Sequence, residues 1–196
     1  MLNSININTI ILSAGQSARF GEPKYRLKFD SNRTFIEKII AEYLAFGCEK
    51  IVVVTNSQSF SKILSLEIVQ QNHIEVVINP TPEKGRFSSI KTGFSAIQIA
   101  CPTFIQNIDN PFISKSLLQL MAHDLENHDG ICPAYHGKGG HPLLLSEKLI
   151  KNLITKETNF DFKVFLKGFD IQKVEVSKPE IVANINTIQD YIQWFG

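Results

Sequence analysis

The stretch Asn8-Thr9-Ile10-Ile11-Leu12-Ser13-Ala14-Gly15-Gln16-Ser17-Ala18-Arg19-Phe20-Gly21-Glu22-Pro23-Lys24 joins a short apolar run to a loop of small residues that carries one Arg and one Lys. The apolar run, Asn8 to Leu12, has the length and near-continuous hydrophobicity of a strand buried on both faces of a parallel sheet. Three similar runs follow at Lys50 to Thr55, Ile74 to Ile78 and Thr103 to Ile108. Between them the apolar spacing becomes helical. Ile36, Ile39, Ile40, Tyr43 and Leu44 fall on one helical face that stops at Gly47. Ser88 to Ala100 sets Ile90, Phe94 and Ile97 on one side. Ser114 to Asn127 does the same with Leu117, Leu118, Met121 and Leu125, behind Ser114 as N-cap. Strand and helix in alternation predict right-handed crossovers and a parallel sheet covered on both faces by helices, an α/β fold.

After about residue 130 the alternation loosens. Gly130 to Ala134 and His141 to Leu145 read as strands around a Gly-rich turn, then helices near Ser146 to Ile154 and Phe162 to Gly168, a strand at Ile171 to Val176, and a last helix capped by Thr187. No linker or repeat interrupts the 196 residues, so one domain over 1–196 is expected. The net charge of +1 argues against bulk binding to nucleic acid or an anionic membrane. The apolar runs are too short to span a bilayer, and Met1 to Ile11 lacks the basic region of a signal peptide. Cys48, Cys101 and Cys132 are odd in number and widely spaced, which fits a reduced cytoplasmic compartment.

In an open parallel sheet, ligands bind outside the carboxyl ends of the strands, and three unusual loops are expected there. Small residues in Leu12 to Lys24 let backbone N–H groups approach an anion, and Arg19 and Lys24 add charge for phosphate oxygens. The loop is neither a Gly-x-Gly-x-x-Gly turn nor a Walker P-loop. Asn79-Pro80-Thr81-Pro82-Glu83-Lys84-Gly85-Arg86-Phe87-Ser88-Ser89 runs into a helix whose start suits a ribose, base edge or phosphate. Ser88 taken alone reads more readily as an N-cap. Asn107-Ile108-Asp109-Asn110-Pro111 ends a buried strand with a carboxylate, and one such group facing a triphosphate suffices for Mg2+. Each loop alone is ordinary turn chemistry; at one sheet edge they describe one site for a nucleoside triphosphate and a metal.

Leu12-Ser13-Ala14-Gly15-Gln16-Ser17-Ala18-Arg19-Phe20-Gly21, with Lys24 and Leu27, resembles the signature of the MobA-like nucleotidyltransferases. The branch it most resembles is that of the molybdenum cofactor cytidylyltransferases. Gly85 with Ser88-Ser89-Ile90 and Gly93 is similar to that branch's nucleoside-binding segment, Asp109-Asn110-Pro111 to its metal motif, and Gly140-His141-Pro142 to its acceptor-side turn. Asn184-Ile185-Asn186-Thr187, with Asp190, resembles its C-terminal segment. The resemblance implies a Rossmann-like three-layer fold, mostly parallel, with an antiparallel portion near the C-terminus. It implies nucleotide contacts from Leu12, Ser13, Ala14, Gly15, Ser17, Arg19, Lys24, Pro80, Gly85, Ser88 and Ser89. Arg19, Lys24 and Asp109 would be catalytic, Asp109 and Asn186 would hold Mg2+, and His141 would lie near the acceptor. Ile108, Asn110 and the pair Tyr25-Arg26 depart from the usual pattern and bear on the acceptor's identity.

The expected reaction transfers NMP, CMP from CTP before others, to a phosphorylated small molecule, molybdopterin before others, by a monomer or homodimer. A sugar- or polyol-phosphate acceptor is the alternative within the class, and a catalytically silent nucleotide-binding module the alternative outside it. The acceptor phosphate is largely ionised at neutral pH, so no general base is required. The histidine pairs His123/His128 and His136/His141 lack zinc-ligand spacing, and Phe160, Phe162, Phe165 and Phe169 are expected to pack in the core.

Overall fold

The computed structural model describes residues 6–15, 20–98, 100–156 and 161–196. In chain order the elements are β1 (Asn8–Ser13), α1 (Phe35–Phe46), β2 (Ile51–Thr55), α2 (Ser57–Leu64), β3 (Ile74–Ile78), α3 (Arg86–Ile97), β4 (Thr103–Asn107), α4 (Lys115–Asp124), β5 (Gly130–Tyr135), β6 (Lys138–Gly139), β7 (Leu143–Leu145), α5 (Glu147–Ile154), α6 (Phe162–Leu166), β8 (Ile171–Glu175) and α7 (Ile188–Phe195). The strands form one sheet in the order β3-β2-β1-β4-β7-β5, with β6 and β8 also on β5. β1, β2, β3 and β4 run parallel, as expected from the apolar runs, and β1 is central, with Leu12 opposite Val54 on one side and Asn107 on the other.

The sheet is covered on both faces because side chains alternate along each strand. Ile11, Val53 and Phe104 pack into a core with α1, α4 and the aromatic face of α7. Ile10, Leu12, Val52, Val54 and Ile105 pack into a second core with α3, α5 and α6. Burying one such Ile or Val stabilises the fold by about 1.5–3 kcal/mol. Gly93 on α3 meets β1 so closely that an added Cβ would lie 2.5 Å from Ile10 Cγ2. The glycine lets the helix sit on the central strand, so its role is packing. Phe162, Phe165 and Phe169 belong to the second core; Phe160 lies outside the described residues.

Three features differ from the expectation. β3 is an edge strand and half-exposed rather than buried on both faces. The polar segment Ser57–Leu64 forms a helix because Asn56 caps it, accepting from Ser59 N at 3.0 Å; its apolar residues were too few for periodicity to reveal it. And α3 begins at Arg86 rather than Ser88, with Gly85 (φ 86°) at its N-cap.

The antiparallel portion lies where the alternation loosened. β7 inserts antiparallel between β4 and β5, and β5 turns back on β6 through His136 and Gly137, both at positive φ. β6 and β7 are one return strand with a bulge. Ile131 pairs with Leu144 and Ala134 with Gly139, so three steps along β5 face five along the return strand. The two extra residues fall within Gly140-His141-Pro142. Since β7 is antiparallel to β4, this bulge at its amino end lies beside the carboxyl end of β4. Among the described residues no helix is long and apolar enough to cross a membrane.

Candidate active site

A cleft of about 340 Å³ opens at the carboxyl ends of β1 and β4. It is lined by Leu12, Ser13, Ala14 and Gly15 from the first loop, by Lys24 and Tyr25, by Gly85, Arg86 and Ser89 at the start of α3, and by Asn107, Ile108 and Asp109 beyond β4. The three loops expected to converge do so. Asn56 ties the first of them to α2: its amide donates to the Ala14 carbonyl at 3.3 Å while its oxygen caps the helix.

At one end of the cleft is a cluster of charge. Pro23 leads into a 3-10 turn, Lys24–Arg26, which lifts the Lys24 side chain toward β4. Its Nζ donates to Asn186 Oδ1 at 2.6 Å and to Asp109 Oδ2 at 3.4 Å. The side chains are only 12% and 22% exposed for Lys24 and Asp109, so the pair is shielded from bulk water. Asp109 Oδ1 is buried and has no hydrogen-bond partner among the described residues.

Asn186 arrives from the far end of the chain, and the structure shows how. Asn110, fully buried, donates its amide to the Ile181 and Ala183 carbonyls, while Ile185 N donates to the Asp109 carbonyl at 2.8 Å. Asp190 accepts from Asn186 N at 2.9 Å and Thr187 N at 2.8 Å in a capping box with Thr187. These backbone hydrogen bonds, led by that from Asn186, hold the Asp190 carboxyl below the usual range. The Asn in the Asp-Asn-Pro turn thus clamps the segment that presents Asn186. The sequence marks Asn110 only as a departure within the metal-motif turn; its clamping role is invisible there because its partners are carbonyls far along the chain.

At the other end, Asn79 organises the second loop from a buried position. Its amide donates to Ser88 Oγ at 2.8 Å and Ser89 Oγ at 2.9 Å, and its oxygen accepts from Thr81 N. The Ser88 hydroxyl is directed to the Thr81 and Gly85 carbonyls, so it braces the loop and does not line the cleft. Ser89 lines the cleft, and its hydroxyl proton has no acceptor among the described residues. Gly85 leaves the first N–H groups of α3 without a side-chain cap. Pro80 is exposed and outside the cleft. Ser17 and Arg19 lie outside the described residues.

His141 sits behind Asn107, with Nε2 2.9 Å from Asn107 Nδ2. Burial, with the Arg86 charge adding to it, lowers its pKa to about 3, so the imidazole is neutral at physiological pH. With the Asn107 amide donating to Nε2, the proton resides on Nδ1, which is buried without a partner among the described residues. Gly140 is required beside it, since an added Cβ would overlap the Ile181 carbonyl oxygen. Arg86 is a cleft residue that sequence reading passed over. Its guanidinium lies 5.9 Å from the Phe162 ring centroid, and only its placement at the first turn of α3 marks it.

No group of three or more His, Cys, Asp or Glu side chains able to hold a metal is found among the described residues. The Asp109 and Asn186 side-chain oxygens meet at one point of the cleft, where both face Lys24 Nζ.

The family model described as the MobA-like NTP transferase domain matches residues 9–167. The chain belongs to this family. This MobA-like chain is a nucleotidyltransferase. It is 28% identical over 186 residues to the molybdenum cofactor cytidylyltransferase of Escherichia coli (strain K12), across 95% of this chain and 94% of that protein. It is 23% identical over 206 aligned positions to a probable molybdenum cofactor guanylyltransferase of Clostridium perfringens (strain 13 / Type A), across 95% of each. Among solved structures, that of Rv0371C from Mycobacterium tuberculosis H37Rv in complex with manganese superposes with a TM-score of 0.76 at 15% identity, covering 96% of this chain and 97% of the other, a likeness of fold.

Proposed function

We propose that this transferase moves CMP from CTP to the phosphate of a small acceptor, molybdopterin in its free or metal-loaded form, and releases pyrophosphate. The observation that carries the reading is the convergence of Lys24, Asp109 and Asn186 at the end of a cleft walled by the small-residue loop and the start of α3. CTP and molybdopterin are favoured by the 28% identity to a cytidylyltransferase across nearly the whole chain. The guanylyltransferase relatives support GTP as the second reading.

Asp109 and Asn186 would hold a divalent cation, Mg2+ before others. The fit rests on the buried, unpartnered Asp109 Oδ1 and on the Asn186 oxygen facing the same ammonium as Asp109. Bound there, the ion would neutralise charge on the triphosphate. Lys24, with Arg19 and Arg86, would bind phosphate oxygens and stabilise charge as it develops. The start of α3, behind Gly85, and the Ser89 hydroxyl would take the nucleoside. His141, neutral and fixed by Asn107, would hydrogen-bond the acceptor rather than exchange a proton with it. An acceptor phosphate oxygen attacks the α-phosphorus, the bond from that phosphorus to the bridging oxygen breaks, and pyrophosphate leaves with the electron pair. The nucleophile is already ionised, so positioning and charge carry the rate. The reading further takes residues 1–196 as one domain, monomeric or homodimeric, working in the cytoplasm.

Thermal stabilisation by CTP, GTP, UTP and ATP, each with and without Mg2+, tests this directly. A Mg2+-dependent shift confined to CTP is expected. A shift confined to GTP transfers the assignment to the guanylyltransferase reading, and no shift with any nucleotide at saturating concentration removes the cleft as a nucleotide site.

A further inference from the structure

Two oxygens assigned to a metal are both engaged by a cation of the chain itself. Lys24 Nζ hydrogen-bonds Asn186 Oδ1 at 2.6 Å and reaches Asp109 Oδ2 at 3.4 Å. Mg2+ sits about 2.0–2.1 Å from its oxygens, so an ammonium in this position and a dication on the same two side chains would be like charges within a few ångströms, in a site shielded from screening. They exclude one another. We infer that Lys24 is the built-in counterion of this metal site, and that a divalent cation enters only by exchange with its ammonium, which swings to the phosphates of the arriving nucleotide. The inference rests on the proposed nucleotidyl-transfer reading and adds to it an order of events.

The exchange is balanced in charge. Asp109 is never left uncompensated, because Lys24 neutralises it before the metal does, and the ammonium finds a second anion in the triphosphate. The side chain suits the movement: a four-carbon flexible stem with a compact charge re-aims without moving the backbone, which the 3-10 turn holds through Leu27 N to Lys24 O at 3.1 Å. Among the described residues Lys24 alone is ion-paired with Asp109, while the Arg86 guanidinium acts on that carboxylate only at longer range. Metal and nucleotide affinities are then coupled: the free protein binds a divalent ion poorly, and nucleotide raises that affinity by giving Lys24 another partner. By linkage the metal raises nucleotide affinity to the same degree.

The test is Mn2+ binding to the nucleotide-free protein, read by the loss of the free-ion paramagnetic resonance signal, in wild type, Lys24→Met and Lys24→Met/Asp109→Asn. Met keeps the length of the side chain and removes its charge. The single variant is expected to bind Mn2+ at least about tenfold more tightly than wild type, the least a displaced charge at this distance should give. The double variant is expected to lose that gain. Equal or weaker binding by Lys24→Met overturns the exchange, as does Mn2+ binding by the free wild-type protein as tight as by the variant. A parallel titration with a non-hydrolysable CTP analogue keeps the two readings apart. Mn2+ uptake with the analogue but no gain in Lys24→Met sinks the exchange alone, and no uptake in any sample sinks the metal site itself. Should Lys24→Met fold poorly, Lys24→Gln carries the same expectation.

Discussion

Residues 8–124 and residues 130–196 build one sheet by different rules. In the first segment the strands alternate with helices, lie parallel to one another, and deliver cleft residues at a carboxyl end: Ser13 from β1, Asp109 just past β4. In the second, the chain doubles back. An antiparallel strand brings its amino end to the same edge, a bulge places His141 there, and a clamped segment carries Asn186 in from beyond β8. The first segment supplies its side of the cleft from strand ends that the topology already brings together, with Asn56 and Asn79 bracing the loops locally. The second completes the site through specific hydrogen bonds and one close contact, so its contribution rests on fewer groups.

The largest effect that could break this comparison is on rate. Asp109→Ala is expected to lower kcat/KM by on the order of 10²–10³. Its melting temperature should change little, because Lys24 keeps Asn186 Oδ1 as a hydrogen-bond partner and the variant no longer buries the unpartnered Asp109 Oδ1. Asn110→Ala should lower activity as well, but through stability and position. It removes the amide that holds the Ile181 and Ala183 carbonyls, which costs about 1–3 kcal/mol in unmade hydrogen bonds and frees Asn186. Paired melting and steady-state measurements decide it. An Asn110→Ala enzyme with wild-type stability and rate would show that the clamp does not position Asn186.

That contrast also explains what the sequence could reveal. β1, β2 and β4 were legible because burial on both faces leaves a run of apolar residues that no other element requires. The caps at Ser114 and Thr187 were legible because capping is local, settled within three residues. The bulge at Gly140-His141-Pro142 and the clamp at Asn110 were not, because their meaning lies in partners dozens of positions away. Arg86 and Ser88 show the limit within one loop. A two-residue difference in where α3 starts turns Ser88 inward and leaves Arg86 on the cleft wall.

A second, smaller effect sharpens the comparison through two glycines. Gly93→Ala presses a methyl group onto the Ile10 side chain in the first segment, while Gly140→Ala presses one onto a backbone carbonyl in the second. Each is expected to cost about 1–3 kcal/mol of stability. The consequences should part company at the site. The added methyl group meets only Ile10 side-chain atoms, which can shift within the core away from the cleft, so Gly93→Ala should retain a near-normal KM for nucleotide. The Ile181 carbonyl belongs to the clamped segment and accepts from His141 N, so Gly140→Ala should also raise the KM for the acceptor. Equal KM values in the two variants would remove the distinction between the segments.

The smallest effect is on pH dependence, and it singles out the second segment. His141 has a folded-state pKa near 3 against an ordinary value near 6.5, so between those limits the unfolded chain binds the proton that the folded chain refuses. Stability therefore falls as pH drops below about 6.5, by at most about 1.4 kcal/mol per pH unit, and does not change for this reason above about pH 7. Carboxylates whose pKa values are lowered in the fold (Asp30, Glu42, Asp129 and Asp190) also cost stability on acidification, but only as pH approaches the ordinary values of 3.8 for Asp and 4.5 for Glu. The interval from pH 7 to pH 5.5 thus lies above those carboxylates, and the difference between wild type and His141→Asn within it isolates this imidazole. Urea unfolding of wild type and His141→Asn across that interval is the measurement. The wild type should lose stability toward pH 5.5 and the variant should not, since an amide in the same bulge has no proton to take up. Parallel slopes in the two proteins would mean that His141 is protonated without strain, and that its burial behind Asn107 does not keep it neutral against the acceptor phosphate.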